Sequence, residues 1–148
     1  MIKKAQGFAK NKHSSQLDDS GKPYFTHLEQ VVSILKQVTD DEDIICAAYL
    51  HDTLEDTETT VKELVTKFGE RIANLVCEMT HAGKKDEHGY YFPLLKSREA
   101  ILIKFADRLS NLSRMESWDA KRQEQYLRKS KFWKSEVRIE IKETEVKI

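Results

Sequence analysis

Two histidines and two aspartates interrupt apolar segments of the chain, and together they predict a metal centre. His51-Asp52 follows the most apolar stretch, residues 44–50, where a charge is costly unless a partner compensates it. Side chains that are adjacent on a helix diverge by about 100°, so both can reach one cavity at a helix end. His27, near a predicted helix start, and Asp107, in a second apolar run, are further candidates. Divalent transition cations accept imidazole and carboxylate ligands, so we predict a two-His, two-Asp site with open positions for water.

Two acids follow this pair at helical spacing. Glu55 lies four residues after His51, and Asp56 lies four residues after Asp52. If the helix continues, both carboxylates stack one turn beyond the metal ligands. Crowded carboxylates beside a cation differ in their tendency to hold a proton, which suits one as a proton shuttle and the other as an orienter of water. We therefore predict Glu55 and Asp56 as catalytic residues.

Polar residues near Asp107 have the chemistry of substrate contacts. Asn111 follows Asp107 by four residues, which places an amide where it could hold a substrate hydroxyl. Lys104 and Arg108 flank the aspartate and are candidate phosphate ligands.

Each of these residues also has a structural explanation. A histidine at a helix end can simply interact with the helix dipole. Asp107 can pair with Arg108, and Glu55 and Asp56 can belong to a solvated acidic turn. These explanations treat every residue separately, whereas one metal site accounts for all the interruptions together.

Hydrophobic periodicity predicts an all-α chain of about seven helices in one domain, residues 1–148. Capping residues are predicted at Thr26, at Asp40 or Asp41, and at Thr60. The pattern fails over residues 84–93, which we interpret as a mobile loop. The helical segments are predicted at residues 2–12, 26–38, 41–50, 60–69, 71–80, 97–115 and 120–137.

Composition excludes several functional classes. The 148 residues carry 25 basic and 25 acidic side chains, so no global charge favours long nucleic acid or an anionic membrane. The longest apolar stretch is about a third of the ~20 residues that a bilayer span requires. The start of the chain lacks the apolar region of a secretory signal, and Cys46 and Cys77 have no paired spacing. We expect a cytoplasmic protein; the sequence sets no oligomeric state.

Four motifs resemble one known family. The segment 51–57, His-Asp-Thr-Leu-Glu-Asp-Thr, resembles the His-Asp-x-x-Glu-Asp-Thr signature of the hydrolase domain of RelA/SpoT-type proteins and small alarmone hydrolases. These proteins belong to the HD-domain phosphohydrolase superfamily. Segments 21–27, 68–80 and 103–111 resemble the other motifs of the family in the same order. The resemblance covers roughly residues 5–135.

The resemblance implies an HD-type helical bundle with a manganese ion held by the four predicted ligands. It further implies removal of pyrophosphate from the 3′ position of a guanosine alarmone, (p)ppGpp, through a metal-activated water served by Glu55 and Asp56. Asn111 matches a family residue near the ribose, and Tyr126 matches a substrate-contacting tyrosine in the last helix. Lys96 and Arg98 follow the predicted loop, where basic phosphate ligands are expected.

The chain departs from the family at two places. Asp18 and Asp19 stand where relatives carry a basic pair that positions guanine, and Ser110 stands where many relatives have His. A carboxylate offers no donor to a base acceptor, although it can accept from an exocyclic amine. We therefore expect Asp18 to contact the base, with a weakened guanine preference and activity on the adenosine analogue. The alternative is that Lys12 or Lys22 supplies the missing contact.

Two other functions remain open from the sequence. An HD-type nucleotidase or phosphohydrolase acting on another nucleotide would share the four ligands without requiring the Glu55-Asp56 pair. A non-catalytic domain that senses a nucleotide would require neither acid.

Overall fold

The computed structural model describes residues 1–80 and 95–129, and this part of the chain is helical. The predicted loop at 84–93, the helical segment beyond Lys129 and the tail from 138 lie outside the described residues. Strand-like pairing among the described residues is confined to one antiparallel bridge between Leu17 and Pro23. The all-α class is confirmed. The helices are α1 (Ile2–Lys12), α2 (Phe25–Lys36), α3 (Glu42–Leu50), α4 (Thr53–Asp56), α5 (Val61–Phe68), α6 (Glu70–Met79), α7 (Arg98–Leu112) and α8 (Ala120–Lys129).

Helix α3 is the centre of the fold, as its nearly uniform apolar sequence predicts. Every residue from Ile44 to Leu50 is buried. The helix packs against α1, α2, α6 and α7, so its end is surrounded by other elements. A polar side chain just after Leu50 therefore lies in the interior of the molecule.

Short side chains begin three of the helices. Asp41 accepts a hydrogen bond from the Asp43 amide, and Thr60 accepts one from the Glu63 amide, so both predicted caps are confirmed. Ser97 caps α7 in the same manner. Arg71 of α6 also donates to Asp41 and Asp43, which ties α6 to the beginning of α3.

The predicted cap at Thr26 is wrong. Helix α2 begins one residue earlier, at Phe25, and the Thr26 hydroxyl donates to the carbonyl of Pro23 at 2.8 Å. The amides of Thr26 and His27 also bond back to residues 23 and 24. A turn that starts at Pro23 therefore runs directly into the helix, and Thr26 has no capping position to fill.

The third helix ends at residue 50 as predicted, and a separate single turn follows it. Helix α3 ends at Leu50, and α4 is a single turn that begins at Thr53. The Thr53 hydroxyl donates to the Leu50 carbonyl at 2.7 Å, and this contact closes the joint. His51 and Asp52 occupy the joint itself. Because of this extra turn, residues 1–80 and 95–129 contain eight helices, where about seven were predicted for the chain.

The joint between α5 and α6 requires a glycine. Gly69 has a φ of 92°, a conformation that side-chain-bearing residues rarely adopt. The predicted helix stop at Gly69 is confirmed. Separately, within the described residues, none of the helices has the length and apolar character needed to cross a bilayer.

Candidate metal centre and adjoining pocket

Four predicted ligands converge in the interior of the fold. His27 comes from α2, His51 and Asp52 from the α3–α4 joint, and Asp107 from α7. One ligand atom from each residue lies within 4.8 Å of those from the others. The Nε2 atoms of His27 and His51 are 3.0 and 3.3 Å from Asp107 Oδ1. His51 Nε2 is also 3.1 Å from Asp52 Oδ2. The arrangement has the size and donor types of a cation site.

The outer nitrogen of each histidine ring is fixed by a hydrogen bond. His51 Nδ1 donates to the carbonyl of Ala48 at 2.7 Å. His27 Nδ1 donates to Ser110 Oγ at 2.9 Å, because the serine hydroxyl itself donates to Gln30. Both rings therefore direct Nε2 toward the carboxylates, which is the arrangement of a metal-ligating histidine with an oriented outer nitrogen.

The charges in the cluster favour a cation. Burial alone would raise the pKa of Asp107, but Lys104 and the two histidines hold this pKa well below its ordinary value. His51 has the same effect on the pKa of Asp52, which is also lowered. Burial lowers the pKa of His51, yet the two carboxylates outweigh burial and raise it well above its usual range. Two anionic carboxylates with two imidazole nitrogens fit a divalent transition cation.

Tyr24 belongs to this cluster, although sequence reasoning did not select it. Its hydroxyl donates to Asp52 Oδ2. Its ring lies between His13 and His27, with centroid distances of 5.2 and 5.4 Å. Burial, followed by the charge of Asp52, raises the pKa of Tyr24, so the phenol remains a hydrogen-bond donor. Its place three residues before His27, after Pro23, was the available sequence signal.

Glu55 and Asp56 lie on α4, beside the cluster and exposed at the surface. The Asp56 amide donates to the Asp52 carbonyl at 3.0 Å, so one helical turn separates the acids from the ligands. Gln16 donates to Asp56 Oδ2 at 3.3 Å, and His13 Nδ1 contacts the other end of the same amide at 2.7 Å. Desolvation by protein atoms, followed by the charge of Asp52, raises the pKa of Asp56.

Asn111, Arg108 and Tyr126 are brought together by α7 and α8. The Tyr126 hydroxyl accepts from Asn111 Nδ2 at 2.7 Å and from Arg108 Nη1 at 3.0 Å. Arg108 is buried, and its Nε and Nη2 atoms have no hydrogen-bond partner. Tyr126, predicted from the family resemblance, therefore contacts two other candidate residues.

The remaining basic candidates differ in position. Lys104 is buried, with Nζ 3.7 Å from Asp107 Oδ2, and burial lowers its pKa. Lys96 and Arg98 are exposed at the other end of α7, and Arg98 precedes Asp107 by about 13 Å of helix. No described contact connects Lys96 or Arg98 with the cluster.

A pocket opens beside the metal cluster. Tyr24, His27 and Asn111 line its inner side, and Asp18, Arg114 and Trp118 line its outer side. Asp18 therefore lies at the pocket, where it pairs with Arg114 at 3.0 Å. Sequence reasoning did not select Arg114 or Trp118. The available signal was Trp118 itself, a tryptophan in a polar segment.

The fold and the cluster define a class of protein, a helical bundle whose central helix delivers a His-Asp pair to a candidate metal centre. The family model described as HD domain matches residues 5–88. This match covers more than half of the chain, and the chain belongs to the HD-domain family. The family resemblance of the sequence motifs is confirmed.

Named relatives extend this result. The chain is 41% identical over 119 residues to a guanosine-3′,5′-bis(diphosphate) 3′-pyrophosphohydrolase of Aquifex aeolicus, covering 75% of this chain but 17% of that protein. The chain thus spans less than a fifth of this long relative. It is 37% identical over 146 residues to MESH1 of Danio rerio, a protein of the same named activity, covering 88% of this chain and 78% of the relative.

A solved structure has the same fold. It is described as a metazoan orthologue of SpoT that hydrolyses ppGpp, and it superposes with a TM-score of 0.71 at 27% identity. The superposition covers 88% of this chain and 82% of the other. The HD-type helical bundle is therefore confirmed across most of the chain.

Proposed function

We propose that this chain is a metal-dependent hydrolase that removes pyrophosphate from the 3′ position of a guanosine alarmone. The observation that carries the proposal is the buried two-His, two-Asp cluster with the acids of α4 one turn beyond it. The similarity to MESH1, of which the chain covers 78%, supports the same reaction here. The substrate is a small nucleotide, and a cytoplasmic setting agrees with two free cysteines.

We propose manganese as the ion, held by His27, His51, Asp52 and Asp107. A divalent cation in such a site lowers the pKa of a coordinated water and polarises phosphoryl oxygens. The mixed nitrogen and oxygen donors support manganese, whereas intrinsic affinity alone would favour later transition metals. The choice of manganese therefore rests on the family resemblance.

Glu55 and Asp56 are proposed to act on the attacking water rather than on the ion. The raised pKa of Asp56 suits this carboxylate to accept a proton, and the Gln16 hydrogen bond fixes its orientation. Glu55 lies next to it on the same exposed turn, where it can orient the water. The Tyr24 hydroxyl donates to the Asp52 carboxylate, and we assign Tyr24 as a positioning residue.

The substrate is proposed to lie along α7. We propose that Asn111, which lines the pocket, holds the ribose together with Tyr126, whose hydroxyl accepts a hydrogen bond from the Asn111 amide. Arg108 retains unpartnered guanidinium nitrogens, which are suitable donors to phosphate oxygens. Lys104 offsets the negative charge of Asp107 and of a nearby phosphate.

The test is a comparison of products with purified protein and manganese. We expect pyrophosphate release from guanosine 3′,5′-bis(diphosphate) and no release of phosphate from nucleoside monophosphates. Cleavage of monophosphates instead would indicate an HD-type nucleotidase. Binding without any turnover would indicate a nucleotide-sensing domain.

The metal assignment is tested by removing one ligand. Asp107→Ala should lose stoichiometric manganese and all turnover, whereas the exposed control Asp40→Ala should retain both. Full metal occupancy in Asp107→Ala would contradict the proposed ligand set.

A further inference from the structure

The outer side of the pocket contains a guanidinium group that the proposed reaction does not use. Arg114 lies just after α7, and its Nη2 atom donates to Asp18 Oδ2 at 3.0 Å and to Thr26 Oγ1 at 2.6 Å. These two bonds fix the plane of the guanidinium. The other terminal nitrogen, Nη1, is buried and has no hydrogen-bond partner. A buried donor without a partner is costly, so its retention beside a pocket indicates a ligand acceptor.

The Asp18 carboxylate, expected from the sequence to accept from the base, makes three of its hydrogen bonds within the protein. Oδ1 accepts from the amides of Ser20 and Lys22, both at 2.9 Å, and Oδ2 accepts from Arg114. The carboxylate thus closes the loop before Pro23 and orients the arginine. Lys12, an alternative contact from the sequence, pairs instead with Glu58 at 2.6 Å.

An aromatic surface accompanies the free donor. Trp118 lines the same pocket, and the Arg122 guanidinium lies 3.9 Å from its ring centroid. Arg122 also pairs with Asp19, so the second acid of this loop is neutralised as well. A flat indole ring beside fixed donors matches a purine base, which stacks on aromatic side chains and offers acceptors at its edge.

We propose that Arg114, held by Asp18 and Thr26, determines base specificity by donating from Nη1 to the O6 atom of guanine. Guanine presents the acceptor O6 at the position where adenine presents its amino donor. An N–H bond of Nη1 therefore matches guanine and opposes adenine. The inference rests on the proposed function and reverses the weakened guanine preference expected from Asp18.

The experiment compares kcat/KM for guanosine, inosine and adenosine 3′,5′-bis(diphosphates). Inosine retains O6 and N7 but lacks the exocyclic amine, so the native protein should accept it about as well as guanosine. Arg114→Gln should lower the guanosine-to-adenosine ratio by about 10- to 100-fold. Arg114→Lys, which keeps the charge but not the fixed planar guanidinium, should give an intermediate ratio. The remote control Arg71→Gln should leave the ratio unchanged.

Two further measurements distinguish a change in base preference from a loss of folding or of metal binding. Manganese content and thermal unfolding establish that each variant is intact, and Arg114→Lys replaces Arg114→Gln if the latter unfolds. If none of the three nucleotides is cleaved, the proposed function fails, and base choice is read from their binding affinities alone. A native preference for adenosine, no preference, or an unchanged ratio in both Arg114 variants would overturn the proposal.

Discussion

Individual contacts outside the metal cluster decide how its ligands are presented. The outer nitrogens of His27 and His51 donate to a serine hydroxyl and a main-chain carbonyl. Without these acceptors each ring could rotate or change tautomer, and Nε2 would no longer face Asp107. Ser110 is fully buried and holds His27 through a contact 83 residues apart in the chain. The position that departs from the family resemblance is therefore part of the ligand support.

Replacing Ser110 should weaken metal binding while leaving the chain folded. In Ser110→Ala, His27 loses the acceptor for Nδ1–H, and loss of such a contact typically costs about 10- to 100-fold in metal affinity. Manganese titration with a competing chelator measures the change. Ser33→Ala, an exposed serine on the same helix as His27, is the matched control. Unchanged affinity in Ser110→Ala would show that the hydrogen bond does not orient the ring.

Replacing each of the two acids of α4 by its neutral amide should reduce turnover without reducing metal binding. Glu55→Gln and Asp56→Asn keep the size of each side chain, so both variants should retain manganese. Loss of a general acid or base typically lowers the rate by about 10²- to 10⁴-fold, and we expect a kcat decrease in this range. Glu58→Gln, an exposed acid of the same segment, should be nearly as active as the native protein. Near-native kcat in both variants would leave the acids as a solvated turn.

Three of the four cluster residues lie at helix ends, whereas Asp107 lies within α7. The beginning of α2 presents His27, and the end of α3 presents His51 and Asp52. Most helix limits could be predicted, because apolar periodicity and local caps such as Asp41 and Thr60 act over a few residues. The separate turn α4 was not predicted, because a hydroxyl-to-carbonyl bond at Thr53 has no distinctive sequence pattern.

The difference between local sequence patterns and long-range packing also explains which site residues could be predicted. The four candidate ligands, which the structure brings together, could be selected because polar residues stand out within apolar segments and family motifs place them in order. Tyr24 and Arg114 escaped selection because their partners, Asp52 and Asp18, lie 28 and 96 residues away. Contacts across such separations depend on how the helices pack, and single-sequence periodicity contains no information about that packing.

The beginning of α3 provides a stability test with a defined pH dependence. Asp41 caps the helix and accepts from Arg71, and the Arg71 hydrogen bond lowers the pKa of this carboxyl. Asp41→Ala should lower the free energy of unfolding by about 1 kcal/mol at neutral pH, the usual cost of losing a cap. Urea unfolding measures the difference.

The sign of the pH dependence follows from the lowered pKa. The charged form is favoured in the folded chain, so its contribution is present above the ordinary carboxyl pKa of about 3.9 and is lost as pH falls through the lower folded value. The difference between native protein and Asp41→Ala should therefore shrink in acid. Asp41→Asn keeps a capping oxygen and should retain most of the stability with little pH dependence. Equal stability of Asp41→Ala and native protein at neutral pH would contradict the capping role.

At the scale of the whole molecule, the metal cluster connects distant parts of the chain. His27 and Asp107 are 80 residues apart, and α2 and α7 pack along each other to bring them within 3.0 Å. Two carboxylates in a buried setting repel each other unless positive charge lies between them. A cation bound at the proposed site would therefore stabilise the packing of α2, α3 and α7.

Removing the metal should consequently lower the thermal stability of the entire fold. A ligand that binds only the folded chain stabilises it by about 2.7 kcal/mol at a concentration 100 times its Kd. For a chain of this size about 1 kcal/mol corresponds to roughly 2–4 °C, so saturating manganese should raise the Tm by about 5–11 °C over chelator-treated protein. Asp107→Ala should show no such rise, because its ligand set is incomplete, whereas Asp40→Ala should respond like the native chain. A manganese-dependent rise of equal size in Asp107→Ala would mean that the stabilising ion binds elsewhere, and the cluster would then have to be held together by protons on its histidines.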